Sequence, residues 1–152
     1  MVRAATMAEA EEICRLVNYY AERGLMLHRS LESVYESLRD FLICCRDGHV
    51  IGCVALRIYW KDLAEVRSLA VAPAQTGSGA GRELTLGAIE NARTLGLGRI
   101  FALTYEPAFF EKMGFRRVAK EALPSKVWRD CIYCPRADAC DEVPLVLDLN
   151  EA

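Results

Sequence analysis

The sequence predicts an α/β fold in which one mixed, mostly antiparallel sheet carries helices on both faces. Three observations point there. Apolar runs flank Asp47-Gly48, the mark of a hairpin whose turn needs positive φ. A strand, a glycine-rich loop, a helix and another strand follow one another mid-chain. Strands also outnumber helices over the whole length.

Taken in order, Val2–Ala5 reads as an opening strand. Thr6 stands three residues before Glu9, a capping-box spacing, and Ile13, Leu16, Val17 and Tyr20 then recur with helical period up to a stop near Gly24. Ser30 can cap a shorter helix with Leu31, Val34, Tyr35 and Leu38 on one side. The hairpin strands are Phe41–Cys45 and Val50–Leu56, and after a link through Trp60-Lys61-Asp62 comes a third strand, Glu65–Val71. Pro73 ends it, and Thr76-Gly77-Ser78-Gly79-Ala80-Gly81 leads into Arg82-Glu83-Leu84. Leu84, Ala88, Ala92 and Leu95 share a helix face that Gly96 closes. Strand Arg99–Thr104, a short helix near Pro107–Met113 with Gly114 just past it, and late strands Phe115–Val118 and Val143–Leu149 complete the order.

At 152 residues the chain fits one domain, expected over 1–152, with a core at about 2–119 and a cysteine-containing segment, 120–152, completing the sheet. Hydrophobic residues make up 53 %, enough for a real core. The net charge of −2 comes without a basic run, so nucleic acid is not an expected partner. No stretch approaches the roughly 18 apolar residues of a membrane span, so no membrane partner is expected either. Seven cysteines without an export signal favour reduced thiols and a cytoplasmic location.

Glycines alternating with small residues between a strand and a helix let backbone N–H groups approach a phosphate, and the helix N-terminus adds partial positive charge. A nucleotide P-loop would end in Gly-Lys-Ser/Thr, whereas Arg82-Glu83 follows Gly81. A dinucleotide fingerprint would read Gly-x-Gly-x-x-Gly near the first strand, unlike Gly77, Gly79 and Gly81. A tight turn that binds nothing is the plain alternative.

The surroundings add a resemblance. Leu69-Ala70-Val71-Ala72-Pro73, the Gly-x-Gly-x-Gly loop with its helix, and Phe109-Phe110-Glu111-Lys112-Met113-Gly114-Phe115 resemble, in order and spacing, the signature of the GNAT acetyltransferase family. The likeness runs from Phe41 to Val118 and implies a GNAT fold with acetyl-CoA as co-substrate and no metal. It implies that Thr76, Gly77, Ser78, Gly79, Ala80, Gly81 and Arg82 hold the pyrophosphate. Leu69 and Val71 would meet the pantetheine and thioester through their backbone, and their amides would stabilise the oxyanion. Phe110 would lie against the cofactor. Two positions depart from the pattern. Thr76 stands where a Gln or Arg is usual, with Gln75 displaced by one, and Phe110 replaces a Tyr that many members use as general acid. Tyr105 is the nearest substitute, with ordinary aromatic packing as its alternative.

Acyl transfer needs a neutral amine, hence a base. Glu65 begins the central strand, and strand alternation puts Glu65, Arg67, Leu69 and Val71 on one face. The alternative is a surface ion pair of Glu65 with Arg67. The acceptor is approached through a narrower resemblance: Glu65–Val71, Arg29-Ser30-Leu31-Glu32 and Phe110 are similar to the acetyltransferase part of N-acetylglutamate synthases. This implies L-glutamate as acceptor, the first step of arginine biosynthesis, and a stand-alone form that leaves room for a homodimer. Bidentate arginine suits a dicarboxylate, and Arg29 and Arg67 are the nominees. Another amine acceptor, such as a protein N-terminus or lysine, and a non-catalytic acetyl-CoA-binding regulator remain open. Finally, Cys131, Cys134 and Cys140 supply three thiols where zinc takes four ligands. Asp130, Asp141 or His28 could complete a set, but reduced thiols are the preferred reading. Cys44-Cys45 reads as packing on opposite strand faces, and His28 and His49 as surface residues.

Overall fold

Asp47 and Gly48 adopt φ of 52° and 76°, and the predicted hairpin forms there between strands β2 (Phe41–Arg46) and β3 (His49–Trp60). The computed structural model describes residues 1–125, 127–128 and 142–149. Its other strands are β1 (Val2–Ala4), β4 (Leu63–Val71), β5 (Arg99–Thr104), β6 (Arg116–Arg117) and β7 (Val143–Asp148). They form one sheet in the order β1-β2-β3-β4-β5-β7-β6, antiparallel except between β4 and β5. The predicted mixed sheet is therefore observed.

Helix α1 (Ala10–Ala21) buries Ile13, Leu16 and Val17, as their spacing requires. The Thr6 backbone N–H donates to the Glu9 carboxylate at 2.8 Å, the reciprocal half of the predicted capping box. Helix α2 (Leu31–Glu36) has six residues, too few to persist on propensity alone. It is held by the Ser30 hydroxyl, which accepts from the Ser33 N–H and is worth about 1 kcal/mol, and by buried Val34, worth about 2 kcal/mol. Leu38 lies beyond the helix in a 3-10 turn but is buried as expected, while Tyr35 faces out. Both helices cover one sheet face, over Phe41, Ile43, Cys53, Ala55 and Ala70.

Helices α3 (Ala80–Thr94) and α4 (Pro107–Lys112) cover the other face through Leu84, Ala88, Ile89 and Phe110, over Val54, Leu56, Val66 and Ile100. Gly52 permits the close seating of α3: a Cβ there would lie 2.9 Å from Leu84 Cδ1 and 3.2 Å from the Ala70 carbonyl oxygen. Cys44 packs on this side and Cys45 on the other, as the alternation predicts.

The differences from expectation are specific. Strand β3 runs on to Trp60 instead of ending at Leu56, because Ile58-Tyr59-Trp60 are strong strand formers that pair back to β4. Helix α3 starts at Ala80, two residues before Arg82, and Leu95 is exposed beyond its end while Leu97 is buried. Strand β6 is two residues, shorter than Phe115–Val118. Asp130, Cys131, Cys134, Cys140 and Asp141, with their zinc and reduced-thiol readings, lie outside the described residues.

Candidate active site

Two irregularities in β4 create the site. The first is where its pairing stops. β4 pairs with β5 over Leu63–Glu65, although both strands continue beyond that point. The second is a bulge: Ala55 pairs with Arg67 but Cys53 pairs with Ala70, so β4 carries one extra residue there, and Ser68 sits at φ 55°. The buried Cys53 thiol, pushed up to about 12 by desolvation and so kept protonated, donates to the Ser68 carbonyl oxygen at 3.5 Å and braces the bulge.

The bulge corrects the expected facing. Glu65 and Arg67 do not share a face with Leu69 and Val71. Before the bulge, Ala64 and Val66 face α3; after it, Leu69 and Val71 do, and Ala70 points toward α1. Simple alternation fails because an extra residue reverses every side chain beyond it. Ala72 N–H donates to the Ile51 carbonyl oxygen, so the alternating ladder turns the backbone groups of Leu69 and Val71 toward the β5 side. That edge can accept an extended ligand by strand-like hydrogen bonds. The Tyr20 hydroxyl, from α1, already donates to the Val71 carbonyl oxygen and pins the strand end.

Past β4, Pro73–Gln75 make a 3-10 turn and the glycine loop follows. Gly77 and Gly79 take φ of 84° and 90°, conformations costly for other residues. Gly79 is the N-cap of the 15-residue α3 and offers no side-chain cap, which leaves first-turn amides of Ala80, Gly81 and Arg82 for a ligand. Thr76, Ser78 and Arg82 are exposed around this opening. Arg46, unremarked in the sequence, donates to the Ser78 carbonyl oxygen at 3.3 Å and to Glu83 at 2.8 Å, tying the loop to β2. Phe109 lies against the first turn of α3, with two ring carbons 3.7 Å from where a Cβ on Gly81 would be. Phe110 is buried edge-to-face between Phe109 and Phe115, so its ring belongs chiefly to the core.

On the α1–α2 side of β4 lies a polar cluster. Glu65 is only 7 % exposed. Its Oε1 accepts from the Tyr59 hydroxyl at 3.1 Å and lies 3.7 Å from Arg67 Nη1. Arg67 has a side chain 18 % exposed, so this is a largely buried pair and not the surface ion pair considered above. Desolvation raises the Glu65 pKa; Arg67, the Tyr59 hydrogen bond and Arg57 oppose it, while Glu142 adds slightly to the rise. Tyr59 is pushed up to about 12 by burial and by the Glu65 charge, so it stays a donor. A carboxylate moved above its usual range is better matched to proton abstraction near neutrality.

Arg57 pairs across the strands with Glu65, and its guanidinium lies 4.9 Å from the centre of the Tyr59 ring. Arg29 is fixed twice. Asn18 grips its backbone, accepting from its N–H at 2.9 Å and donating to its carbonyl at 2.8 Å. Its Nε and Nη2 donate to Ser33 Oγ at 3.2 and 3.0 Å, and Nη2 donates to Ser37 Oγ at 2.5 Å. Nη1 makes no hydrogen bond among the described residues, so Arg29 presents one amino group and not the fully open fork expected for bidentate recognition. Burial lowers the Arg29 pKa, followed by repulsion from Arg67, with Asp40 opposing and Arg57 adding. Asp40 is raised by burial and lowered by Arg29, Arg57 and Arg67.

Arg67 and Arg57 link the two ends of this cluster: each acts on Arg29 and Asp40 on one side and on Glu65, with its Tyr59 hydrogen bond, on the other. Tyr105 sits in the bend after β5, half-buried, at the end of the sheet where β4 and β5 part. His28 and His49 are exposed.

Residues 6–115 match the Acetyltransferase (GNAT) family. The chain is 43 % identical to an uncharacterized N-acetyltransferase of Chlorobaculum tepidum, over 97 % of this chain and 96 % of that protein. It is 35 % identical to the amino-acid acetyltransferase of Mycobacterium tuberculosis, over 84 % of this chain and 75 % of that one. Among solved structures, N-acetylglutamate synthase from Neisseria gonorrhoeae, complexed with coenzyme A and N-acetyl-glutamate, superposes with a TM-score of 0.89 at 30 % identity, over 99 % of this chain and 35 % of that longer one. Sheet, split strands, glycine loop and relatives agree, and the chain belongs to the GNAT acetyltransferase family, as an N-acetyltransferase that uses acetyl-CoA.

Proposed function

We propose that this enzyme moves the acetyl group of acetyl-CoA to the α-amine of L-glutamate by direct attack within a ternary complex. The pyrophosphate lies on the amides from Gly77 to Arg82, and the pantetheine lies along the backbone edge of Leu69 and Val71. Glu65, directly or through water, takes the ammonium proton. The amine nitrogen then attacks the thioester carbon, the developing oxyanion is met by the amides of β4, and the C–S bond breaks as the thiolate leaves and the nitrogen gives its second proton to water. With Phe110 unable to give a proton, the Tyr105 hydroxyl protonates the thiolate and takes a proton back from water; a thiol's ordinary pKa of about 8.5 leaves solvent able to complete the same step.

The observation that carries the acceptor assignment is Arg29: a half-buried guanidinium, held on one edge by Ser33 and Ser37, with Nη1 bonded to none of the described residues and Arg67 within electrostatic reach. Arg67, 3.7 Å from the Glu65 carboxylate, is our nominee for the second carboxylate. The N-acetyl-glutamate held by the gonococcal relative supports the same class of acceptor. The wider reading, a cytoplasmic single-domain enzyme at the first step of arginine biosynthesis, rests on that acceptor. The test is thiol release from acetyl-CoA with each common amino acid and a few polyamines. Glutamate should exceed its neutral isostere glutamine by about tenfold or more in kcat/KM, since charge-assisted hydrogen bonds are worth about 1.5–3 kcal/mol. A lysine peptide or polyamine as the best acceptor would refute the assignment.

A further inference from the structure

We infer that Ser33 and Ser37 are positioning residues for the acceptor, acting through Arg29; this rests on the reading of Arg29 as the carboxylate contact. An arginine side chain has rotamer entropy to lose on binding, and the loop before α2 would leave it free to swing. Here the guanidinium is immobilised before any ligand arrives. Ser33 Oγ accepts from both Nε and Nη2, and Ser37 Oγ accepts from Nη2. The Ser37 hydroxyl proton goes to the Ser33 carbonyl oxygen at 2.8 Å, which turns a lone pair of Ser37 Oγ toward Arg29. The Phe41 ring sits 5.2 Å from the guanidinium carbon and supports it. The consequence is directional: the Nε/Nη2 edge is consumed and Nη1 is left to point. Ser33 in α2 and Ser37 at its C-cap stand one helical turn apart, so the two hydroxyls form a clamp across the end of the helix.

The clamp predicts a division of kinetic effects. Ser33→Ala/Ser37→Ala should raise the KM for glutamate about tenfold, with kcat at saturating glutamate and the KM for acetyl-CoA each within twofold of the parent. Ser33→Thr/Ser37→Thr restores the hydroxyls and should recover most of the glutamate KM. Ser30→Ala is the control for a merely weakened helix: it removes the α2 cap without touching the guanidinium, and should lower the melting temperature with little change in glutamate KM. If the double alanine variant melts normally and keeps its glutamate KM while Arg29→Gln loses it, the clamp is wrong and the acceptor reading stands. If Arg29→Gln also keeps its glutamate KM, the acceptor reading itself fails. If Ser30→Ala shifts glutamate KM as much as the double variant, the serines only hold the helix together.

Discussion

Replacing Glu65 by Gln should produce an enzyme that is nearly inactive and no less stable. Glutamine has the same shape, and its Oε1 can still accept from the Tyr59 hydroxyl that donates at 3.1 Å. What disappears is the capacity to take a proton. General-base catalysis is worth about 10²- to 10⁴-fold, or about 2.7–5.4 kcal/mol of barrier at 1.36 kcal/mol per decade. The stability effect has the opposite sign from most buried-charge deletions. Burial raises the Glu65 pKa above its ordinary 4.5, so the folded state holds this proton more tightly than the unfolded chain does. Its contribution to stability is fully present below about 4.5 and is lost as pH rises through the raised folded value. At pH 7.5 the parent carries that loss and Glu65→Gln does not, though Arg67 gives up its partner at 3.7 Å and offsets part of the gain. The assay pairs thiol release at pH 7.5 with thermal melts at pH 5 and 7.5. A rate within threefold of the parent would refute Glu65 as the base. A large fall in melting temperature alongside lost activity would show that the carboxylate is structural.

Three further outcomes follow from the same geometry. Tyr59→Phe removes a hydrogen bond that favours the Glu65 carboxylate, so the ascending limb of kcat against pH should move to higher pH; no movement would separate that limb from Glu65. Gly79→Ala forces a side chain onto φ 90°, at a cost of about 1–2 kcal/mol, and should raise the KM for acetyl-CoA about 5- to 30-fold with the glutamate KM unchanged, measured by initial rates. Gly52→Ala drives a Cβ to 2.9 Å from Leu84 and 3.2 Å from a backbone oxygen, and should destabilise by about 1–3 kcal/mol in urea unfolding, because the backbone beneath α3 cannot yield as a side chain can.

The parts of this molecule written in local chemistry were legible in its sequence. Asp47-Gly48 set the hairpin turn, the 3.6-residue spacing of Ile13, Leu16 and Val17 set the buried face of α1, and Gly77 and Gly79 announced a loop that needs positive φ. The β4 bulge was not legible, because Ser68 carries a left-handed conformation that no glycine advertises and that β3 pairing and the Cys53 thiol impose from a distance. Missing it put Leu69 and Val71 on the wrong face. Arg57 and Tyr59 lie on the part of β3 beyond Leu56, where the run Ile58-Tyr59-Trp60 of β-branched and aromatic residues is the signal for a longer strand. Ser33 and Ser37 gave no signal at all: their role exists only once Arg29 folds back over α2.

The central claim is the identity of the acceptor, and a one-pot competition tests it most directly. Enzyme and acetyl-CoA are incubated with all twenty amino acids at equal concentration, and the acetylated products are identified by mass spectrometry. The account predicts N-acetyl-L-glutamate as the dominant product, lost when Arg29 is replaced by Gln. A product mixture dominated by another amino acid, or acetyl-CoA turnover that yields no acetylated amino acid, would contradict it.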